Sequence, residues 1–116
     1  MITGVHAIVF STAAEKVRAF FAEALNLPSA DAGGGWLIFA LPPAELAIHP
    51  ADDGSRHELY LMCDDIHATL AELASKGVEV ARGVSDQGWG LLAAIRLPDG
   101  AEFPIYQPRH PSPLNA

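Results

Sequence analysis

The sequence predicts an α+β domain of two tandem β-α-β-β-β modules, forming curved mixed sheets around a cleft. Three observations predict it. The run "GVHAIVFS" (Gly4 to Ser11) opens the first half and "RHELYLMC" (Arg56 to Cys63) opens the second, with His6 and His57 at the same place in each. Each run leads into an amphipathic helical pattern. Each half then closes on a similar run, "PAELAIHP" (Pro43 to Pro50) and "GAEFPIYQP" (Gly100 to Pro108). A repeat of about half the chain is too long for a solenoid and fits two fused copies of one small αβ module. A module of this size buries too little surface to stand alone, so the copies share one core. The result is a single domain over residues 1–110, with module one at about 1–50, module two at about 56–108, and a tail at 109–116.

The elements follow in order. Val5, Ala7 and Val9 alternate with His6, Ile8 and Phe10, a strand pattern with apolar residues on both faces. Thr12 and Glu15 have the spacing of a capping box. Val17, Phe20, Phe21, Ala24 and Leu25 then form one helical stripe, and Pro28 marks its end. Gly33-Gly34-Gly35 reads as a turn, Trp36 to Leu41 as a strand, Pro42-Pro43 as a turn and Glu45 to His49 as a strand. Pro50 to Ser55 is a polar link.

The second half repeats this order. His57 to Cys63 is a strand, and Asp64 or Asp65 caps a helix whose inner face carries Ile66, Leu70 and Leu73. Gly77 suits the left-handed position after that helix. Val78 to Ala81, Leu91 to Leu97 and Ala101 to Tyr106 are strands, with a turn at Pro98-Asp99-Gly100. The stretch from Pro108 to Ala116 holds three prolines and little to bury, which places it on the surface or frays it.

Composition narrows the function. Of 116 residues half are hydrophobic, ample for one core. The net charge is −7, and the seven Lys and Arg residues form no stripe, which argues against nucleic acid as a partner. No apolar run approaches the ~20 residues of a membrane span. Cys63 is the sole cysteine, so no internal disulfide forms. The first ten residues lack the basic stretch of a signal peptide. A soluble cytoplasmic protein is the expectation.

From Ile2 to Pro108 the chain resembles the vicinal-oxygen-chelate superfamily of glyoxalases, extradiol dioxygenases and bleomycin- and fosfomycin-resistance proteins. The resemblance is carried by "HAIVFS" with the helix "AEKVRAFFAEALNL", by "HELYLMCDDIHATLAELASKGVEV", and by "DQGWG" followed by "IRLPDG". It implies a homodimer and a small-molecule ligand. In metal-using members it implies a divalent ion (Zn, Ni, Mn or Fe) held by the first and last strands of each module. The first-strand positions are His6 and His57, both able to ligate. The last-strand positions fall on Ala47 and Pro104, whose side chains have no donor.

Glu45 and Glu102 lie two residues earlier on the same strand faces. That offset is ~6.6–7 Å along an unaltered strand, several times a metal–oxygen bond of ~2.0–2.2 Å. A proline inside a strand favours a bulge, which re-aims its neighbours. A displaced site of His6, His57 and either Glu102 or His49 is therefore open, with Glu102 or Glu45 as third ligand or general base. Two functions follow. One is a metal-dependent lyase, isomerase or ring-opening dioxygenase acting on adjacent oxygen atoms, the metal serving as Lewis acid. The other is a metal-free protein that sequesters a drug or metabolite in the cleft. The retained His pair favours the first and the empty ligand positions favour the second. His67 and His110 read as solvated. Cys63 has no basic neighbour in the sequence and reads as structural. Trp36, Trp89, Phe39 and Tyr60 suit either a cavity lining or the core.

Overall fold

The computed structural model describes residues 6–47, 49, 50, 52 and 57–115. Its elements are α1 (Ala14–Glu23), β1 (Ser29–Asp31), β2 (Leu37–Phe39), β3 (Leu61–Met62), α2 (Ile66–Ser75), β4 (Val80–Asp86), β5 (Gly90–Arg96) and β6 (Glu102–Pro108), then a single 3-10 turn at Pro113–Asn115. The second half is the complete β-α-β-β-β unit that the pattern predicts. Its four-stranded sheet has the order β3-β6-β5-β4. β3 runs parallel to β6, and the other pairs are antiparallel.

The β5–β6 register sorts side chains onto two faces. Ala93 pairs with Ile105 and Ile95 with Phe103, while Leu92 pairs with Tyr106, Ala94 with Pro104 and Arg96 with Glu102. The first set faces the helices. Ile66 and Ile95 are fully enclosed there, joined by Leu70, Leu73, Phe103 and Ile105 from the second half and by Val17 and Phe21 from α1. The Phe21 ring meets Phe103 edge-on at 5.8 Å and Phe39 at 5.9 Å. The two halves therefore share one core. The second set forms the opposite face of the sheet.

Local signals settle most ends. Asp65 caps α2, its carboxylate accepting from the Ala68 amide at 3.1 Å. Gly77 follows with φ of 85°. At the triple glycine the φ values are 126°, 62° and 86°, a run that side chains would strain. The Asp31 carboxylate accepts from the Gly33 amide at 2.7 Å and the Gly35 amide at 3.2 Å, which closes this turn between β1 and β2.

Some elements differ from the pattern. Thr12 and Glu15 form no capping box, and α1 carries no side-chain cap bond at Ala13. Instead the Ser11 hydroxyl accepts from the Ala13 amide and donates to Asp99, tying the start of α1 to the β5–β6 turn. The local bond at the helix start thus comes from Ser11, one residue before the Thr12 of the predicted box. Residues 6–10 and the described part of Glu45–His49 form no strand; Val5 and Ile48 lie outside the described residues, as does most of the Pro50–Ser55 link. Ile8, Phe10 and Leu46 are exposed. A strand gains its stability from a neighbouring ladder and a covered face, and neither is present along these segments. The tail, expected on the surface or frayed, lies at the surface and is anchored at its start: the Arg109 amide donates to the Trp89 carbonyl at 2.9 Å, and its guanidinium to Asp86 at 2.7 Å.

Two substitutions test the sheet. Ile95→Ala, by emptying an enclosed site, is expected to lower unfolding free energy by about 2–5 kcal/mol. At Gly90 an added Cβ would sit 2.7 Å from the Gln107 carbonyl oxygen and 3.1 Å from the Tyr106 ring. Gly90→Ala is expected to cost about 1–3 kcal/mol through overpacking. Urea titrations of both variants check these values.

Candidate functional site

The open face of the sheet carries a cavity of about 580 Å³. Its floor is Leu92, Ala94 and Pro104, with the Tyr60 ring at its edge and Glu58, Arg82 and Glu102 among its polar lining. The volume lies within the range of small-molecule sites, about 300–1,000 Å³. Strand alternation creates this arrangement: Glu102, Pro104 and Tyr106 project to one face of β6, while Phe103 and Ile105 go to the core.

Glu102, on β6, is bound across β5 to a residue of β4. The Arg82 Nε donates to its Oε1 at 2.5 Å, and both side chains remain solvent-accessible. This hydrogen bond holds the Glu102 carboxyl below its usual range. Glu102 is thus an ionised, paired rim residue.

Glu45 has a different setting. Its side chain is only 14% exposed, with Oε1 3.3 Å from the Tyr106 hydroxyl and 3.8 Å from His110 Nε2. Its Oε2 is buried and has no hydrogen-bond partner among the described residues. Tyr106 also contacts His110 Nε2 at 3.0 Å. Around it, Trp89 packs edge-on at 5.3 Å and Tyr60 at 5.9 Å. Burial, and then the nearby Glu45 charge, push the Tyr106 phenol above its ordinary pKa. Glu45 and Glu102 therefore serve the same sheet face from opposite ends of β6.

The candidate imidazoles stand elsewhere. His6 lies in an exposed segment without regular structure, His49 is exposed, and His57 is exposed ahead of β3. Ala47 and Pro104 offer no donor. Among the described residues, no three His, Cys, Asp or Glu side chains converge as a metal-binding group. The residues present at the family's metal positions thus do not assemble its ligand set. Cys63 is half-buried and its thiol approaches the Tyr106 carbonyl at 3.5 Å. Burial leads the causes that raise its pKa, so it stays a protonated structural thiol. Trp36 is exposed beneath the Arg18 guanidinium, and Phe39 packs on the core.

His110 is the residue sequence reasoning missed. It lies beyond the last strand in a proline-rich tail, where no local periodicity marks a buried face. Tyr106 was legible, since it alternates with Glu102 and Pro104. Arg82 carried no local signal, because its pairing with Glu102 reaches across β5 between residues 20 apart in sequence.

Comparison with known proteins places this geometry. The family model for the glyoxalase/bleomycin resistance protein/dioxygenase superfamily matches residues 4–105. The chain belongs to this superfamily. TnmS3, an antibiotic-binding protein from Streptomyces sp. CB03234, is 30% identical, with 92% of this chain and 97% of that chain covered and a TM-score of 0.68. A superfamily member from Sphaerobacter thermophilus is 21% identical, with 91% and 98% covered and a TM-score of 0.63. Lactoylglutathione lyase from Agrobacterium tumefaciens shares the fold at 11% identity, with 90% and 92% covered and a TM-score of 0.65. No curated protein matches the chain. None of the described helices is long and apolar enough to cross a membrane.

Acid sensitivity follows from the carboxylates. Asp99 is held low first by the Ser11 hydroxyl, and Asp86 first by the Gly88 amide and then by Arg109. A depressed carboxylate adds stability that is in place above its ordinary pKa of 3.8 and is lost as pH falls through the lower folded value. Acid unfolding followed by tryptophan fluorescence should therefore be shallower in Asp86→Asn, whose side chain no longer takes up that proton. An unchanged acid transition would show that Asp86 adds nothing.

Proposed function

We propose that the protein binds and sequesters a small molecule that carries both a planar ring system and polar groups, in the cleft on the open sheet face. One observation carries this reading: the floor of the cleft is Leu92, Ala94 and Pro104, with Pro104 at the position where metal-using relatives place a ligand. A ring system fits over such a floor, while Tyr60 supplies an aromatic edge and the Arg82–Glu102 pair supplies polar specificity at the rim. The similarity to an antibiotic-binding protein at 30% identity supports the same class of ligand. A metal-dependent lyase, isomerase or dioxygenase reaction would need a third donor beside His6 and His57, and the nearest sequence candidate, Glu102, is engaged by Arg82. The binding reading is therefore preferred to the enzymatic one.

We also propose that the working form is a homodimer. Ile8, Phe10, Trp36 and Leu46 leave large apolar surface exposed on the first half. Exposed apolar patches of this kind mark association surfaces. Residues 6–10 have an alternating strand pattern with no partner strand among the described residues, and a second copy would supply one.

The test is a fluorescence titration of the wild-type protein with a panel of polycyclic aromatic antibiotics, run with and without chelator. Saturable, chelator-insensitive binding is expected, with quenching of Trp89 beside the cleft. Pro104→Glu, which puts a charge into the apolar floor, should weaken binding by about tenfold or more. Binding that requires added metal, or that Pro104→Glu leaves unaltered, would reject the proposed cleft. Sedimentation of the same preparation should give twice the chain mass of 12.3 kDa.

A further inference from the structure

Proton counting at Glu45, Tyr106 and His110 exposes a missing positive charge. His110 Nδ1 lies 2.8 Å from the Pro111 carbonyl oxygen, which can only accept, so Nδ1 carries hydrogen. In the neutral ring Nε2 is then a lone pair aimed at the other two groups. The Tyr106 hydroxyl has one hydrogen and two acceptors within reach, Nε2 at 3.0 Å and Glu45 Oε1 at 3.3 Å. It can satisfy one. The remaining contact, and the 3.8 Å approach of Nε2 to Oε1, then set lone pair against lone pair. The second Glu45 oxygen is buried without a partner among the described residues. One cation at the centre of the triangle would satisfy the three atoms that face it, Nε2, the Tyr106 oxygen and Glu45 Oε1.

The geometry points to a divalent-cation site formed by His110 Nε2, the Glu45 carboxylate and the Tyr106 oxygen. Zinc bonds to nitrogen and oxygen ligands at about 2.0–2.2 Å, which sets neighbouring donors roughly 3–3.6 Å apart. The three separations here bracket that range. The bond from Nδ1–H to a backbone carbonyl is the usual orientation of a metal-binding imidazole, because it fixes the tautomer and aims the other nitrogen. Nitrogen and oxygen donors of this kind suit Zn or Ni rather than a soft monovalent ion. The partly exposed His110 leaves open coordination positions to water. None of the three donors occupies one of the four family ligand positions, His6, Ala47, His57 and Pro104; Glu45, a candidate for a displaced site with the histidines, here acts without them, and the site stands whatever fills the cleft. Its effect is a clasp. The ion joins the Pro43–Ala47 segment of the first half to β6 and to the tail, at the Tyr106 end of the open sheet face.

Calorimetric titration of chelator-stripped full-length protein with Zn²⁺ and Ni²⁺ tests the site. One ion per chain is expected. Affinity should fall by more than about tenfold in His110→Ala, His110→Gln and Glu45→Gln, as when a metal site loses a ligand or its support. Tyr106→Phe keeps the ring against Trp89 and Tyr60 and should lose less. The double variant His6→Ala/His57→Ala should bind as wild type does. Thermal melts of each stripped variant separate loss of the site from loss of the fold. Zn²⁺ should also protect the bond after Arg109 from trypsin in wild type and not in His110→Gln. Wild type that fails to bind, or binding that survives His110→Gln but disappears with His6 and His57, would overturn the proposal. So would ring-nitrogen NMR shifts of a protonated His110 that Zn²⁺ leaves unchanged, since a proton alone would then fill the triangle.

Discussion

The antiparallel pairing of β5 with β6 is the constraint on which the rest of the structure depends. It is the longest continuous ladder, running from Gly90–Pro108 to Arg96–Glu102 without a register shift. Its register puts Ile95 beside Phe103 and Ala93 beside Ile105 against the helices. The same register puts Ala94 beside Pro104 and Leu92 beside Tyr106 on the open face. A one-residue slip would exchange the two sets, exposing the core and burying the Arg96–Glu102 pair. Core and cleft are thus two consequences of one alignment. Gly90 protects it, because only a residue without Cβ fits against the Gln107 carbonyl and the Tyr106 ring.

The two halves contribute unequally. The second half carries its own helix over a four-stranded sheet. Module one supplies α1, whose Val17 and Phe21 complete the shared core, and a short β1–β2 hairpin. Further contacts join the halves: Ser11 to Asp99, Lys76 to the Ala24 carbonyl at 3.0 Å, and Glu45 to Tyr106 and His110. Most involve loops or chain ends rather than strand ladders. The first half is therefore attached through its helix and a few polar links, while its strand-forming sequences have apolar side chains left uncovered.

The cleft and the Glu45 cluster illustrate two uses of buried polarity. Arg82 and Glu102 pair at an accessible rim, where water shares the cost of their charge and the pair adds direction more than stability. Glu45 sits largely out of water, where a carboxylate oxygen without a partner is costly. The Tyr106 hydroxyl donates to one of its oxygens and lowers that cost, while the other oxygen has no partner among the described residues. Tail, first-half segment and last strand meet at this one point, so its charge state bears on how firmly all three are held.

Much of this was legible in the chain. The apolar stripe of Ile66, Leu70 and Leu73 set α2, Asp65 and Gly77 set its ends, and alternation from Glu102 to Tyr106 set the two faces of β6. These are local signals, fixed by the 3.6-residue and two-residue periods and by the conformational limits of particular residues. The internal repeat and family motifs likewise indicated the superfamily. Tertiary structure decided the rest. Whether Val9 or Leu46 lies in a strand depends on a neighbouring ladder, which no alternation pattern supplies. Ser11 serves Asp99 because a turn from the other end of the chain arrives beside it. His110 looked solvated in a proline-rich tail, yet it meets Glu45 and Tyr106 because Arg109 fastens that tail to Trp89 and Asp86. Such contacts join residues far apart in sequence, and only the folded chain brings their atoms together.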